Sequence, residues 1–167
     1  LGVSVDSGQT WMRPENLPTA QYYAVGFDYK VPYNVFGGAQ DNGCHMGPSS
    51  MPGGVPIPLE AWANVGCADG FYNEVGKDSH FLYNESQFGG ISRTDLFTGQ
   101  TGGIGPRPAL PGNEAYRWNW SAPILVSPHN PDVVYHGAQV LLRSPFRGES
   151  WQIISPDLTV NDPAKKG

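Results

Sequence analysis

Runs of strand character recur along the chain, and helical spacing is nearly absent. Apolar residues alternate with polar ones, or run together briefly, over residues 21–28, 34–40, 71–75, 81–85, 90–95, 124–127, 133–137, 140–144 and 151–155. Alternation places every second side chain on one face of a sheet, so each run predicts a short strand. No long window carries apolar residues at i, i+3, i+4 and i+7 free of Gly or Pro. Turn-forming clusters separate the runs, such as Ser127-Pro128-His129-Asn130-Pro131-Asp132 and Thr98-Gly99-Gln100-Thr101-Gly102-Gly103.

A repeated frame runs through this strand pattern. Ser4, Asp6, Gly8, Thr10 and Trp11 fit S-x-D-x-G-x-T-W. Ser144, Gly148 and Trp151 fit the same frame, with Phe146 where the aspartate belongs. The two tryptophans lie 140 positions apart, which divides into three units of about 47, the length of a four-stranded propeller blade. The frame closes a hairpin. Its Asp carboxylate accepts backbone N–H groups, and its Gly takes positive φ. Its Trp is expected to pack between neighbouring units. The Phe146 side chain cannot accept those hydrogen bonds, so the second turn is expected to rest on packing and Gly148, or to be looser.

Composition agrees with a turn-rich, packed β protein. The 167 residues include 22 Gly and 16 Pro, while aromatics make up 12%. The net charge is −5, with no basic run, so nucleic acid is not an expected partner. No apolar stretch reaches membrane-spanning length. No cofactor motif and no Cys/His metal spacing occurs, so neither a cofactor nor a metal is expected. Cys44 and Cys67 read either as two buried thiols or as one disulfide across neighbouring loops.

The ordered string of segments carries a family resemblance. It includes Ser4 to Trp11, Pro32 to Gly43, Ala68-Asp69-Gly70-Phe71, Gln87 to Asp95, Arg117 to Ile124, Ser127-Pro128-His129 and Ile154 to Thr159. With these the chain resembles the Asp-box (bacterial neuraminidase repeat) β-propeller proteins, nearest the exported bacterial sortilin-like and glycosyl-hydrolase-like ones. The resemblance implies an all-β fold. About three four-stranded blades would form a partial propeller within a seven- or ten-bladed ring. Residues 1–30 would close one blade and start the next, 31–66 and 67–112 would be blades, and 113–167 a blade with the degenerate box. It also implies a secreted, periplasmic or cell-surface location. The remaining blades or neighbouring chains would lie at both open edges.

Candidate chemistry lies in the loops. Asp41 and Asp69 stand at corresponding loops one unit apart, and paired carboxylates are what glycoside hydrolysis requires. Equally, Asp-Asn-Gly and Asp-Gly are ordinary turn formers. Gln40 and Asn42 flank Asp41 with amides, while Arg93, Arg107 and Arg117 suit bidentate carboxylate recognition. No sialidase arginine set or xyloglucanase aspartate pair maps onto the chain. Trp118 and Trp120 alternate with Asn119, which suits a sugar or peptide surface or simple packing between blades. The four histidines form no metal or nucleophile frame, and Asn84 and Asn119 head N-glycosylation frames. Two classes of function follow. One is a binding or scaffold module with a protein, peptide or glycan partner. The other is a glycoside hydrolase.

Overall fold

The computed structural model describes residues 2–12, 20–107, 115–162 and 164. These fold into three four-stranded antiparallel sheets with almost no helix. The first sheet holds β1 (Tyr22–Phe27), β2 (Asn34–Ala39), β3 (Gly43–Pro48) and β4 (Ala63–Asn64). The second holds β5 (Asn73–Val75), β6 (Phe81–Ser86), β7 (Gly90–Asp95) and β8 (Thr101–Gly103). The third holds β9 (Ile124–Val126), β10 (Val134–Gly137), β11 (Leu141–Ser144) and β12 (Gln152–Ile153). Each sheet is a meander in chain order, and none closes on itself.

All nine runs read as strands from sequence contain a strand. Three strands lie outside those runs: β3, β4 and β8. β3 reads Gly-Cys-His-Met-Gly-Pro, without apolar alternation. β8 lies within the Gly-rich segment read as a turn, and its pairing with β7 comes from the hairpin. The 112/113 unit boundary falls outside the described residues.

Apolar alternation drives the sheets together. Between the first and second sheets, Phe36, Met46 and Val65 pack with Val75, Leu82 and Leu96. Between the second and third, Tyr83, Ile91, Phe81 and Ile104 pack with Ile124, Val126, Val134 and Trp151. Burial of such side chains contributes roughly 1.5–3 kcal/mol each, so these two joints dominate cohesion. The first strands of successive sheets lie against each other, β1 on β5 and β5 on β9. Glycine permits that approach: a Cβ at Gly26 would strike the Asn73 carbonyl, and one at Gly38 the Gly70 backbone.

Meander topology sorts the loops into two ends. The β2–β3, β6–β7 and β10–β11 turns share one end with the connections between sheets. Hydrogen bonds stitch that end: Gly70 N–H to the Ala39 carbonyl at 3.1 Å, Phe88 N–H to Trp120 at 3.2 Å, and Gln139 N–H to Arg117 at 3.1 Å. The β7–β8 and β11–β12 hairpins lie at the opposite end.

Candidate functional site

The two frame hairpins form a matched pair of turns. In residues 2–12, Asp6 Oδ1 accepts the Thr10 N–H at 2.8 Å, and Oδ2 accepts the Thr10 hydroxyl at 2.6 Å. The Thr10 hydroxyl, the Thr10 N–H and the Ser4 hydroxyl hold the Asp6 pKa down at about 2. The Gly8 N–H reaches Ser4 Oγ at 2.8 Å, and the Gly148 N–H reaches Ser144 Oγ at the same distance. Ser7 and Gly8 have φ of 60° and 87°, and Arg147 and Gly148 have 54° and 90°. The second turn therefore keeps the conformation without the aspartate.

Arg147, the residue after Phe146, ties the second turn to the loops around it. It pairs with Asp132 at 2.5 Å and Asp78 at 3.1 Å, and its guanidinium sits 4.7 Å from the Phe81 ring centroid. Phe146 itself is exposed. Trp151 packs at the joint between sheets as expected and donates its indole N–H to the Ile104 carbonyl at 2.7 Å. Trp11 does not: it is 69% exposed, with Gly2 beneath its ring.

Most candidates collect at the loop-bearing end. Gln40, Asp41 and Asn42 form the β2–β3 turn, and Asp69 lies on the connection into β5. Asp69 Oδ1 accepts the Asp41 N–H at 2.6 Å. Asp69 is nearly buried and holds the turn, whereas Asp41 is exposed. A disulfide joins Cys44 on β3 to Cys67 and fixes this connection to the first sheet. Asp41, Asn42, Asn64, Asp69 and Gln87 line a groove of about 470 Å³. The groove walls are acidic and amide in character, with no cation among the described lining residues.

An aromatic cluster stands beside the groove. Gln87 lines the groove, and its chain neighbour Phe88 is 60% exposed at φ 56°. A bulky residue rarely adopts that conformation, and such outliers cluster at functional sites. Phe88 and Trp120 meet with ring centroids 5.0 Å apart at 88°. Buried Phe71 supports Trp120 at 6.0 Å and Tyr23 at 4.6 Å. The Tyr23 hydroxyl donates to Gln40 Oε1 at 3.1 Å. Glu85 lies under the Trp120 loop, fully buried, with Oε1 accepting the Ala122 N–H at 2.8 Å. Its Oε2 has no partner, and burial raises its pKa to about 7.

The structure separates the remaining candidates. Arg93 lies toward the opposite end, where it donates to the Arg147 carbonyl at 2.8 Å and sits over Phe81. Arg117 is at the loop-bearing end but is engaged by Asp157 at 2.7 Å and Thr159 at 2.8 Å. The Thr159 hydroxyl and Arg117 hold the Asp157 pKa at about 2. Arg107 is exposed. Trp118 is half-buried, stacked on His136 at 4.6 Å, so it packs rather than faces solvent. His136 is buried between the Pro123 and Gly89 carbonyls, and burial lowers its pKa. His80 pairs with Asp95, His45 meets the Tyr22 hydroxyl, and His129 is exposed. Asn84 is buried, so its glycosylation frame is inaccessible in this fold, while Asn119 is exposed.

Phe88, Glu85 and Arg147 were not singled out from sequence. Phe88 occupies the same turn position as Asp41, two residues past the last paired residue of its strand (Ser86 and Ala39), and both have φ near 60°. Among the described residues no group of three or more His, Cys, Asp or Glu is placed to hold a metal ion. No helix among them is long and apolar enough to cross a membrane. The chain matches no family model and no curated protein, so the geometry of this end carries the functional reading.

Proposed function

We propose that the three sheets are blades of an exported Asp-box β-propeller, part of a seven- or ten-bladed ring. In this reading the loop-bearing end is a binding surface for a protein, peptide or glycan partner. Meanders in chain order, first strands laid side by side and the Asp6 hairpin support the propeller. Further blades or neighbouring chains cover the free faces of the first and third sheets.

The commitment of Asp69 carries the choice of binding over catalysis. Its Oδ1 accepts the Asp41 N–H and the residue is nearly buried, so one carboxylate oxygen is committed to holding the turn, the role expected of a turn former. Exposed Phe88 and Trp120 beside a polar groove supply the recognition surface. The test presents peptide and oligosaccharide arrays to the chain and to Trp120→Ala, with hydrolysis of sialosides and xyloglucan assayed in parallel. Retention lost in Trp120→Ala is the expected result. Product release abolished by Asp41→Asn and by Asp69→Asn assigns a glycoside hydrolase instead.

A further inference from the structure

We infer that the Phe88–Trp120 notch and the adjoining groove accept an extended, proline-bearing peptide with a basic flank. The inference rests on the binding-surface reading above and names its ligand chemistry.

Ring geometry selects proline. A pyranose stacks on an open, flat aromatic face. Phe88 instead stands at 88° to Trp120 with centroids 5.0 Å apart, and Phe71 stands at 85° to Trp120 from within the fold. The exposed surface is therefore an aromatic corner. Corners of this kind receive the ridges of a polyproline helix, whose fixed backbone has little entropy to lose on docking. The corner is also rigid. Phe88 is pinned in a three-residue turn between paired Ser86 and Gly90, and its N–H is bonded to the Trp120 carbonyl at 3.2 Å.

Charge selects the flank. Asp41 is exposed, and among the described residues no ion pair includes it. Its groove is lined by Asn42, Asn64, Asp69 and Gln87, with no cation among the described lining residues. Lysine or arginine is complementary to that field, an anionic ligand is repelled, and the amides offer partners to peptide backbone. Gln87 joins groove to corner, since it lines one and precedes Phe88 at the other.

The test uses a fluorescein-labelled peptide of six prolines with a lysine at each end, followed by fluorescence anisotropy. Phe88→Gly removes the ring, and glycine adopts φ 56° freely, so the variant stays folded. Saturable binding is expected, weakened about tenfold by Phe88→Gly. Asp41→Asn, or exchange of the peptide's lysines for glutamates, is expected to weaken it as well. No binding, or binding indifferent to Phe88→Gly, overturns the inference. Binding of cellohexaose or chitohexaose lost in Phe88→Gly, with the peptide silent, also overturns it but leaves the binding-surface reading standing. Only the hydrolysis result described above removes both.

Discussion

Glu85 has a measurable consequence at the scale of a single residue. The carboxyl is fully buried under the Trp120 loop, and its pKa is raised from 4.5 to about 7 by desolvation. Below pH 4.5 both folded and unfolded chains hold the proton, and the contribution to stability is fully present. Between 4.5 and 7 the unfolded chain releases the proton while the folded one keeps it, so stability falls as pH rises. The shift corresponds to at most about 3 kcal/mol, lost by pH 8. Glu85→Gln keeps an acceptor for the Ala122 N–H and cannot ionise. Urea titrations at pH 4.5, 6 and 8 are expected to show the variant gaining on the parent as pH rises. Parallel curves for the two proteins would refute the assignment. None of this was visible in the sequence, where Glu85 closes the run 81–85 and nothing local marks its carboxyl as buried. Burial comes from the Trp120 loop of the next sheet, a contact between residues 37 positions apart. Arg147 escaped for the same reason. Its partners Asp132 and Asp78 are 15 and 69 positions away, so only the missing aspartate at Phe146 could be read.

At the scale of elements, the two frame tryptophans make opposite predictions. Trp151 fills the joint between the second and third sheets, and its removal leaves a cavity there. Trp151 is partly buried, so Trp151→Ala is expected to cost about 3 kcal/mol, the low end for such a truncation. Trp11 is 69% exposed, so Trp11→Ala is expected to stay within about 0.5 kcal/mol. Denaturant midpoints of the two variants check the contrast, and equal losses would contradict the packing described. The Asp6 hairpin has its own signature. Its carboxylate is ordinary in the unfolded chain and depressed to about 2 in the hairpin, so the turn's stability is present above pH 3.8 and fades toward pH 2. The Thr10 amide resonance reports that loss, and a turn unchanged at pH 2 would contradict it. Element existence was legible because strand patterning and turn residues are local signals. β3 and β4 were not, since neighbouring strands and Gly-rich close packing, rather than alternation, define them. The loop-bearing site was half legible. Asp41, Asp69 and Trp120 were found by residue type, but Phe88 was not, because nothing local marks an aromatic held at positive φ.

The disulfide ties the site to the whole molecule. Cys44 and Cys67 are 23 positions apart and anchor the Asp69 connection to the first sheet. Closing a loop of that length removes about 3 kcal/mol worth of freedom from the unfolded chain. Reduction, or Cys44→Ala with Cys67→Ala, is expected to lower the melting temperature and to loosen the Asp69–Asp41 contact, read as faster exchange of the Asp41 amide. Fast exchange in the oxidised protein would contradict that.

The outer faces carry the last consequence at this scale. Tyr22, Val25, Val35 and Trp62 line an apolar depression of about 360 Å³ on the first sheet, and Pro123, Leu125, Tyr135 and Leu141 line one of about 300 Å³ on the third. These faces have the same apolar character as the two buried joints, and surfaces of that kind drive association. Alternation separates what each substitution does. Leu125 is 53% exposed between Ile124 and Val126, which are 4% and 6% exposed. Val25→Lys with Leu125→Lys is therefore expected to leave stability within about 0.5 kcal/mol and to suppress concentration-dependent light scattering. Ile124→Lys places a charge in the joint and is expected to unfold the third sheet. Scattering unchanged by the paired substitution would mean that these faces are not the sites of association.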